Sequence, residues 1–360
     1  MTTAALLDRS CPAHRLRALA LVVAVVLSLA ACGGGGDAPA AAPVVPPAGD
    51  PAGDVAGEAA AFPVTVEHKF GRTDVPAEPR RVLSLGYQEH DTIFALGVTP
   101  IAVRYWYGDK SDVIYPWADD EAAGAAPEIL DMPFGELSFE RIAALQPDLI
   151  LGVYSGITEA EYETLSRIAP TVPQSADYVD FGVPWQDMVR TAGTVLGRPG
   201  RAEKLIAGLE GRFATARAAH PAFAGLTVAV ATYGGPGKPT GFFASEDPRS
   251  RFFTSLGFTV PSALDAIAGD EFFGEVSAER LDLLDADVLV WDQLQYVDGG
   301  AAAVKADALA SRLAAMRDGR ALFLEGDVEN AFAFNSVLSL PFVLDQVVPQ
   351  LAAAAARVAS

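Results

Sequence analysis

Two distant stretches of this chain carry nearly the same phrase, and this repeat constrains the fold more than any other feature. "SFERIAALQPDLILG" spans residues 138–152, and "SAERLDLLDADVLVW" spans residues 277–291. Laid over each other without a gap, they share Ser, Glu, Arg, Leu and Asp at the same places, and half of the other positions exchange one aliphatic residue for another. Each copy is typical of an amphipathic helix that begins at a Ser and leads into a buried strand. The chain is therefore predicted to contain the same helix–strand unit once in each of two similar halves.

Short apolar runs alternate with amphipathic segments on both sides of a long helical stretch. "RVLSLG", "PIAVRY", "LILGVYSG" and "LTVAVATYGG" read as strands, while "RAEKLIAGLEGRFATARAAH" has helical spacing without interruption. Such alternation indicates parallel sheets with helices on both faces. The predicted fold class is α/β, with two lobes joined by a single long helix. We expect an N-terminal lobe at 62–198, an interlobe helix at 199–222 and a C-terminal lobe at 223–360.

The N-terminus is typical of an export signal. A basic segment precedes the apolar run "ALALVVAVVLSLAA", and "LAAC", which ends at Cys32, resembles the lipobox of bacterial lipoproteins. We expect residues 1–31 to be removed and Cys32 to carry a lipid, with residues 32–61 as a Gly/Ala/Pro-rich tether. The predicted location is the extracytoplasmic face of the cell membrane, reached through the lipid anchor alone. A plain signal peptide or a membrane anchor with an incidental Cys is the alternative.

Composition and motifs exclude several classes of function. The formal net charge of −20 argues against nucleic acid as a partner, because phosphate binding needs a basic face. The four His are scattered and the two Cys cannot form a metal cluster, so no metal site built by the protein is expected. "GVYSG" misses the spacing of a nucleophile elbow, and "GGPGKPTG" lacks the phosphate-binding pattern and reads as a turn. We therefore expect no enzyme activity and no cofactor.

Candidate ligand contacts come from the predicted strand ends, because ligands of open α/β sheets bind outside the carboxyl ends of the strands. Besides the residues named below, the strand ends give Tyr87, Gln88, Tyr107, Ser155, Gln293 and Phe334. Arg104 is the best candidate to meet an anionic ligand and Arg251 the second, while Trp106, Trp185 and Trp291 offer apolar and π contact. The predicted ligand-binding residues are Arg104, Tyr105, Trp106, Tyr154, Trp185, Tyr233, Arg251, Trp291 and Asn330.

The lipobox, the two lobes and the repeated phrase together resemble the substrate-binding proteins of ABC importers for ferric siderophores, haem and cobalamin. The resemblance covers roughly residues 64–355, and "FGELSFERIAALQPDLILGVYSGITEAEYETLSRIAPTV" is similar to the iron-siderophore lipoproteins of high-GC Gram-positive bacteria. It implies two Rossmann-like lobes, a ferric siderophore that supplies the Fe³⁺ ligands, and delivery to an ABC permease by a monomer. Glu140 and Glu279 match the family's glutamates that pair with arginines of the permease.

Haem or cobalamin as the ligand stays an alternative, since Tyr105, Tyr154 or Tyr233 could serve as an axial ligand of haem. A surface enzyme or an adhesion module on the same tether is a further one. The chemical type of the siderophore stays open.

Overall fold

The computed structural model describes residues 62–105 and 113–358. The predicted signal peptide, Cys32, the tether and Trp106 lie outside the described residues. Within the described ranges, no helix is both long and apolar enough to cross a membrane.

The N-terminal lobe is built on a parallel sheet preceded by a short hairpin. Its strands are β1 Val64–His68, β2 Gly71–Val75, β3 Val82–Ser84, β4 Ala102–Arg104, β5 Glu128–Leu130, β6 Leu149–Gly152 and β7 Thr171–Pro173. Its helices are α1 Glu89–Ala95, α2 Asp119–Ala122, α3 Phe139–Ala144 and α4 Glu159–Ser166. Strands β1 and β2 pair with each other, while the sheet has the order β5-β4-β3-β6-β7 with every pair parallel. The first strand of the sheet thus lies at its centre, as in a doubly wound Rossmann fold.

Two consecutive helices, α5 Trp185–Val195 and α6 Pro199–Ala219, lead to the second lobe. Helix α6 begins with a Pro, which suits the first helical turn because no intrahelical N–H is lost there. It buries Ala202, Ile206, Leu209 and Phe213, whose spacing of three and four residues places them on one face.

The C-terminal lobe repeats the strand order of the first lobe. Its strands are β8 Val228–Thr232, β9 Thr240–Phe243, β10 Phe273–Val276, β11 Val288–Asp292 and β12 Ala321–Phe323. Its helices are α7 Pro248–Ser255, α8 Ser262–Ala268, α9 Gly300–Ala306, α10 Ala314–Arg317, α11 Asp327–Phe334 and α12 Ser339–Val358. The order β10-β9-β8-β11-β12 is that of the first sheet, which confirms the predicted class of two Rossmann-like α/β lobes joined by one long helix.

One strand of this second sheet departs from the parallel pattern that the sequence predicts. Strand β9 runs antiparallel to both β8 and β10. The cause is the Gly- and Pro-rich segment 233–239, which returns the chain directly beside β8 as a hairpin instead of through a crossover helix. The prediction that "GGPGKPTG" forms a turn agrees with this connection.

The Asp of the repeated phrase has the same structural role in both lobes. Asp148 precedes β6 and accepts the backbone N–H groups of Arg80 and Arg81, just before β3. Asp287 precedes β11 and accepts the backbone N–H of Thr227, just before β8. Each Asp therefore ties the central strand of its sheet to the strand that follows the repeated helix.

Candidate ligand-binding cleft

A cleft of about 510 Å³ lies between the lobes at the carboxyl ends of the strands. It is lined by Tyr87, Tyr105, Asp131, Pro133, Phe134, Tyr154, Phe181, Phe243, Arg249, Phe272 and Gln293. In the N-terminal lobe a lining residue follows each strand of the sheet, since Tyr87, Tyr105, Asp131, Tyr154 and Phe181 come after β3, β4, β5, β6 and β7. The lining is mostly aromatic and draws on both lobes, which suits a bulky ligand of mixed polarity.

Phe181 joins the aromatic walls of the two lobes. Its ring centroid lies 5.3 Å from that of Tyr154 and 6.3 Å from that of Tyr87 within its own lobe. Across the cleft it lies 5.6 Å from Phe272 in an edge-to-face arrangement. Gly156 makes room for this packing, because its φ is +61° and a Cβ there would come within 2.5 Å of the Phe181 ring.

Arg249 supplies the cationic group of the lining in the second lobe. It lies in α7 with its guanidinium carbon 4.3 Å from the centre of the Phe243 ring. Its Nη1 lies 3.3 Å from both carboxylate oxygens of Asp247, and its Nε lies 3.2 Å from an oxygen of Asp292. Both carboxylates are fully buried, and burial raises the pKa of Asp292 to about 6 and also raises that of Asp247.

Tyr154 meets this cluster from the opposite lobe, with its hydroxyl in hydrogen-bond reach of Arg249. Burial raises the pKa of the Tyr154 hydroxyl, so it stays protonated and can donate to a ligand. The polar centre of the cleft is thus a phenol beside a guanidinium that already faces two carboxylates.

A buried carboxylate fixes the backbone beneath the first-lobe wall. Glu89, at the start of α1, accepts the backbone N–H of Tyr154, and the N–H of Tyr87 donates to the Tyr154 carbonyl at 3.2 Å. Burial raises the pKa of Glu89 to about 7. Gly86 leaves room for this carboxylate, since a Cβ there would lie 2.2 Å from a Glu89 oxygen.

The structure places Tyr105 and Tyr154 in one cleft, together with Tyr87 and Gln293 from the strand-end analysis, whereas Gln88, Ser155 and Phe334 do not line it. Tyr107 lies outside the described residues. It corrects the position of Arg104, whose side chain is 1 % exposed and lies behind Tyr87. Arg104 donates from Nε to the Met132 carbonyl and from Nη2 to the Pro133 carbonyl, both at 2.7 Å, and lies 4.4 Å from the Tyr87 ring centre. It therefore supports the wall of the cleft instead of facing the ligand, and burial lowers its pKa.

Arg251 and Trp185 lie away from the cleft. Both line a separate cavity of about 370 Å³ near the start of α5. Arg251 donates to the Gly182 carbonyl of the first lobe and to the Glu246 carboxylate of the second, so it ties the lobes together. Arg251 is therefore corrected from a ligand contact to a residue of the interlobe contact, and Trp185 to a buried residue at the start of α5 that does not line the cleft.

The other second-lobe candidates also lie away from the cleft lining. Trp291 is fully buried in the core of that lobe and donates its indole N–H to the Met316 sulfur at 3.3 Å. Tyr233 donates to an Asp307 carboxylate at 2.9 Å and lines another cavity. Asn330 is half-buried on α11 and does not appear among the lining residues. Trp291 and Tyr233 are therefore corrected as ligand contacts, and Trp106 lies outside the described residues.

Glu140 and Glu279, the residues predicted to contact the permease, are both exposed, one on each lobe. Glu140 lies in the first turn of α3, which Ser138 caps by accepting the backbone N–H of Arg141. Glu279 lies at the start of a 3₁₀ segment, Ala278–Leu284, that is kinked at Arg280. The second copy of the phrase is thus not the α-helix that the sequence predicts.

Sequence reasoning missed Arg249, Asp247 and Asp292, together with the four phenylalanines that line the cleft, Phe134, Phe181, Phe243 and Phe272. The signal that could have found Arg249 is "EDPRSR", in which an Asp–Pro helix start places the next Arg beside the strand ends.

Two similar α/β lobes, one connecting helix and a cleft at facing strand ends define a bilobal solute-binding protein. A family model described as periplasmic binding protein matches residues 82–328. The chain belongs to this family, whose members are binding proteins of transporters and not enzymes.

Relatives and solved structures agree with this assignment. The chain is 29 % identical over 236 residues to the probable siderophore-binding lipoprotein YfiY of Bacillus subtilis, a match covering 63 % of this chain and 68 % of that protein. A periplasmic solute binding protein from Mycobacterium smegmatis is 34 % identical, with a TM-score of 0.70 over 81 % of this chain and 99 % of that one. PiaA of Streptococcus pneumoniae in complex with ferrichrome is 26 % identical, with a TM-score of 0.71 over 81 % of this chain and 99 % of that one.

Proposed function

We propose that this protein captures a ferric siderophore outside the cytoplasmic membrane and delivers it to an ABC permease for iron import. The observation that carries the proposal is the aromatic cleft of about 510 Å³, which has the size and lining of a small-molecule site. A siderophore brings its own iron ligands, so the protein contributes shape, stacking surfaces and hydrogen bonds. The names of the relatives, which include a siderophore-binding lipoprotein and a structure with ferrichrome, support the same ligand class.

A titration tests capture directly. Quenching of intrinsic protein fluorescence is measured for the purified protein with ferrichrome and other ferric siderophores. Phe134→Ala removes a ring that lines the cleft yet is 63 % exposed, so it should leave folding intact. Loss of one stacking ring should weaken binding about 2- to 12-fold, from about 0.5–1.5 kcal/mol.

Ile267→Ala is the matched control, because Ile267 is an exposed apolar residue on α8 that does not line the cleft. It should bind as the wild type does. Failure of every ferric siderophore to quench the wild type would reject the proposal.

Haem is the competing ligand, because three tyrosines line the cleft in the described part of the chain. A tyrosine binds haem iron as the phenolate. Burial raises the pKa of both Tyr87 and Tyr154, which opposes phenolate formation there. A Soret band in protein mixed with haem, with no response to ferric siderophores, would favour haem instead.

The proposal also covers how the protein contacts the permease and how it is held at the membrane. Glu140 and Glu279 would pair with basic residues of the permease, since they are exposed at corresponding places of the two lobes. A lipid on Cys32 would hold the protein at the membrane, in line with the "LAAC" motif and with relatives named as lipoproteins.

A further inference from the structure

A groove of about 560 Å³ lies beside the cleft on the C-terminal lobe. Its lining comes from the segment after β8, the turn after β11 and one face of α9. Strands β8 and β11 are parallel neighbours in which Thr232 pairs with Asp292, so Tyr233 and Gln293 leave the sheet side by side. Gln293 lines the cleft, whereas Tyr233 lines the groove. The groove therefore opens at the same carboxyl-end edge of the sheet and adjoins the cleft.

Tyr296 connects the groove to the cleft. It lines the groove and ends a 3₁₀ segment, Leu294–Tyr296, that begins directly after the cleft residue Gln293. Partial burial raises the pKa of its hydroxyl, and Tyr105 of the opposite lobe raises it further, while Arg249 lowers it. Because Tyr105 and Arg249 both line the cleft, the Tyr296 hydroxyl lies close to it. The residue is nevertheless 66 % exposed, so most of its ring is accessible to a ligand.

Hydrogen bonds fix the walls of the groove. Asp307, at the end of α9, accepts the Tyr233 hydroxyl at 2.9 Å and the backbone N–H of Leu309 at 2.8 Å. At the start of the same helix, Glu325 accepts the backbone N–H of Ala301 at 3.1 Å. The groove is therefore preformed, so a ligand does not have to order its walls on binding.

The groove has a largely apolar lining. Its side chains include two aromatic rings and three aliphatic groups, those of Tyr233, Tyr296, Val297, Ala303 and Ala306. Rings and methyl groups bind a methylene chain through burial of apolar surface. Lys238 and Asp298 also line the groove, but both are exposed and can keep their charges hydrated beside such a chain. The lining thus suits an aliphatic chain.

We infer, on the basis of the proposed function, that the groove is a subsite for an uncharged aliphatic arm of a ferric siderophore. The iron and its chelating groups occupy the cleft, and the arm passes Tyr296 into the groove. A compact complex that stays within the cleft gains nothing from the groove. The protein should therefore prefer a siderophore with a free arm to one whose chain is closed into a ring.

Two neutral ferric trihydroxamates test this preference. N-acetylated ferrioxamine B has a free pentyl arm that ends in an acetamide, whereas in ferrioxamine E the same type of chain is closed into a ring. In each complex three hydroxamates balance Fe³⁺, so the two have equal net charge. Quenching of intrinsic fluorescence gives both affinities. The wild type should bind the complex with the arm at least about fivefold more tightly, the factor expected from burial of about two methylene groups partly offset by ordering of the arm.

Filling the groove should abolish the preference. Ala303→Leu and Ala306→Leu each place a larger side chain in the groove, and Leu is well tolerated in a helix such as α9. Each should bring the ratio of affinities close to one, while unchanged binding of ferrioxamine E shows that the cleft is intact. Ala302→Leu is the matched control, because Ala302 is exposed on the same helix but does not line the groove. It should keep the wild-type ratio.

The outcomes distinguish the groove from the proposed function. Equal affinities of the wild type for the two complexes, or tighter binding of ferrioxamine E, would overturn the inference and leave siderophore capture intact. An unchanged ratio in both groove variants, or an equal loss in Ala302→Leu, would overturn it as well. If another ferric siderophore binds but neither ferrioxamine does, the role of the groove is also wrong. If no ferric siderophore binds, the proposed function is rejected with it.

Discussion

Replacing Arg104 by Met tests whether this residue supports the cleft wall or contacts the ligand. The buried guanidinium donates two hydrogen bonds of 2.7 Å to the carbonyls of Met132 and Pro133 and stacks on Tyr87. The variant keeps most of the side-chain volume but leaves the buried Met132 carbonyl without that donor, at a cost of about 2 kcal/mol. Loss of the cation–π contact adds about 1 kcal/mol, whereas the Pro133 carbonyl is only partly buried and can bind water instead. We expect the free energy of unfolding to fall by about 3 kcal/mol.

Urea unfolding followed by circular dichroism measures this change, and ligand titration of the same sample measures the accompanying loss of affinity. Arg141→Met is the matched control. The Arg141 guanidinium likewise donates to two acceptors, a carboxylate and a backbone carbonyl, but its side chain is 43 % exposed. Its loss should therefore cost less than about 1 kcal/mol. If Arg104→Met kept wild-type stability and lost only siderophore affinity, Arg104 would contact the ligand and the support role would be wrong.

Three further predictions concern delivery, pH and anchoring. Glu140→Ala combined with Glu279→Ala should keep siderophore affinity and folding but abolish uptake through the cognate permease in cells; normal uptake at equal surface abundance would contradict the docking role. Because burial raises the pKa of Glu89 from 4.5 to about 7, the folded state binds a proton that the unfolded state releases, and stability should fall as pH rises from about 5 to about 7.5. Glu89→Gln should flatten this slope, which is at most about 1.4 kcal/mol per pH unit, in urea midpoints measured across that range. Burial lowers the pKa of His90 from 6.5 to about 4, so below pH 6.5 this residue makes stability rise with pH and opposes the effect of Glu89. The slope of stability with pH above pH 6.5 therefore tests the role of Glu89. Cys32→Ala should release the protein from membranes or leave its precursor unprocessed, and membrane association at mature size would rule out the lipid anchor.

The position of a residue along a strand could be predicted from the sequence, but the face of the sheet on which its side chain lies could not. Strand–helix alternation locates the carboxyl ends, and Tyr87, Tyr105 and Tyr154 accordingly line the cleft. Trp291 is also near the end of a strand, yet it packs into the second-lobe core while its neighbour Val290 packs on the opposite face. Successive side chains alternate between the faces, so a shift of one residue separates a ligand contact from a core residue.

Helix rotation limited the prediction in the same way. Arg249 and Arg251 are two residues apart on α7, so their side chains point in nearly opposite directions. Arg249 turns to the cleft, while Arg251 turns to Gly182 and Glu246. The "EDP" sequence indicates that α7 begins at its Pro, but only packing of the helix on the sheet fixes which Arg faces the cleft.

Folding accounts for several of the residues shared by the two copies of the repeated phrase. Asp148 and Asp287 each tie the central strand of a sheet, and Ser138 caps α3. The aliphatic positions are buried, as at Ile142 and Leu281, where one aliphatic residue replaces another without loss of packing. These requirements explain why Asp and the aliphatic pattern occur in both lobes, whereas Ser277 makes no capping hydrogen bond of the kind that Ser138 makes.

The shared glutamates are not explained in this way. Glu140 and Glu279 are both exposed, so neither fills a core position. A favourable helix dipole could explain Glu140 in the first turn of α3, but Glu279 begins a kinked 3₁₀ segment in which no regular α-helix follows. Glu279 does have local partners, since its carboxylate accepts hydrogen bonds from its own backbone N–H and from the Ser277 side chain. The local structures of the two copies nevertheless differ, so one local role does not explain the same Glu in both. A partner with two similar halves, which would meet one Glu on each lobe, accounts for both positions at once.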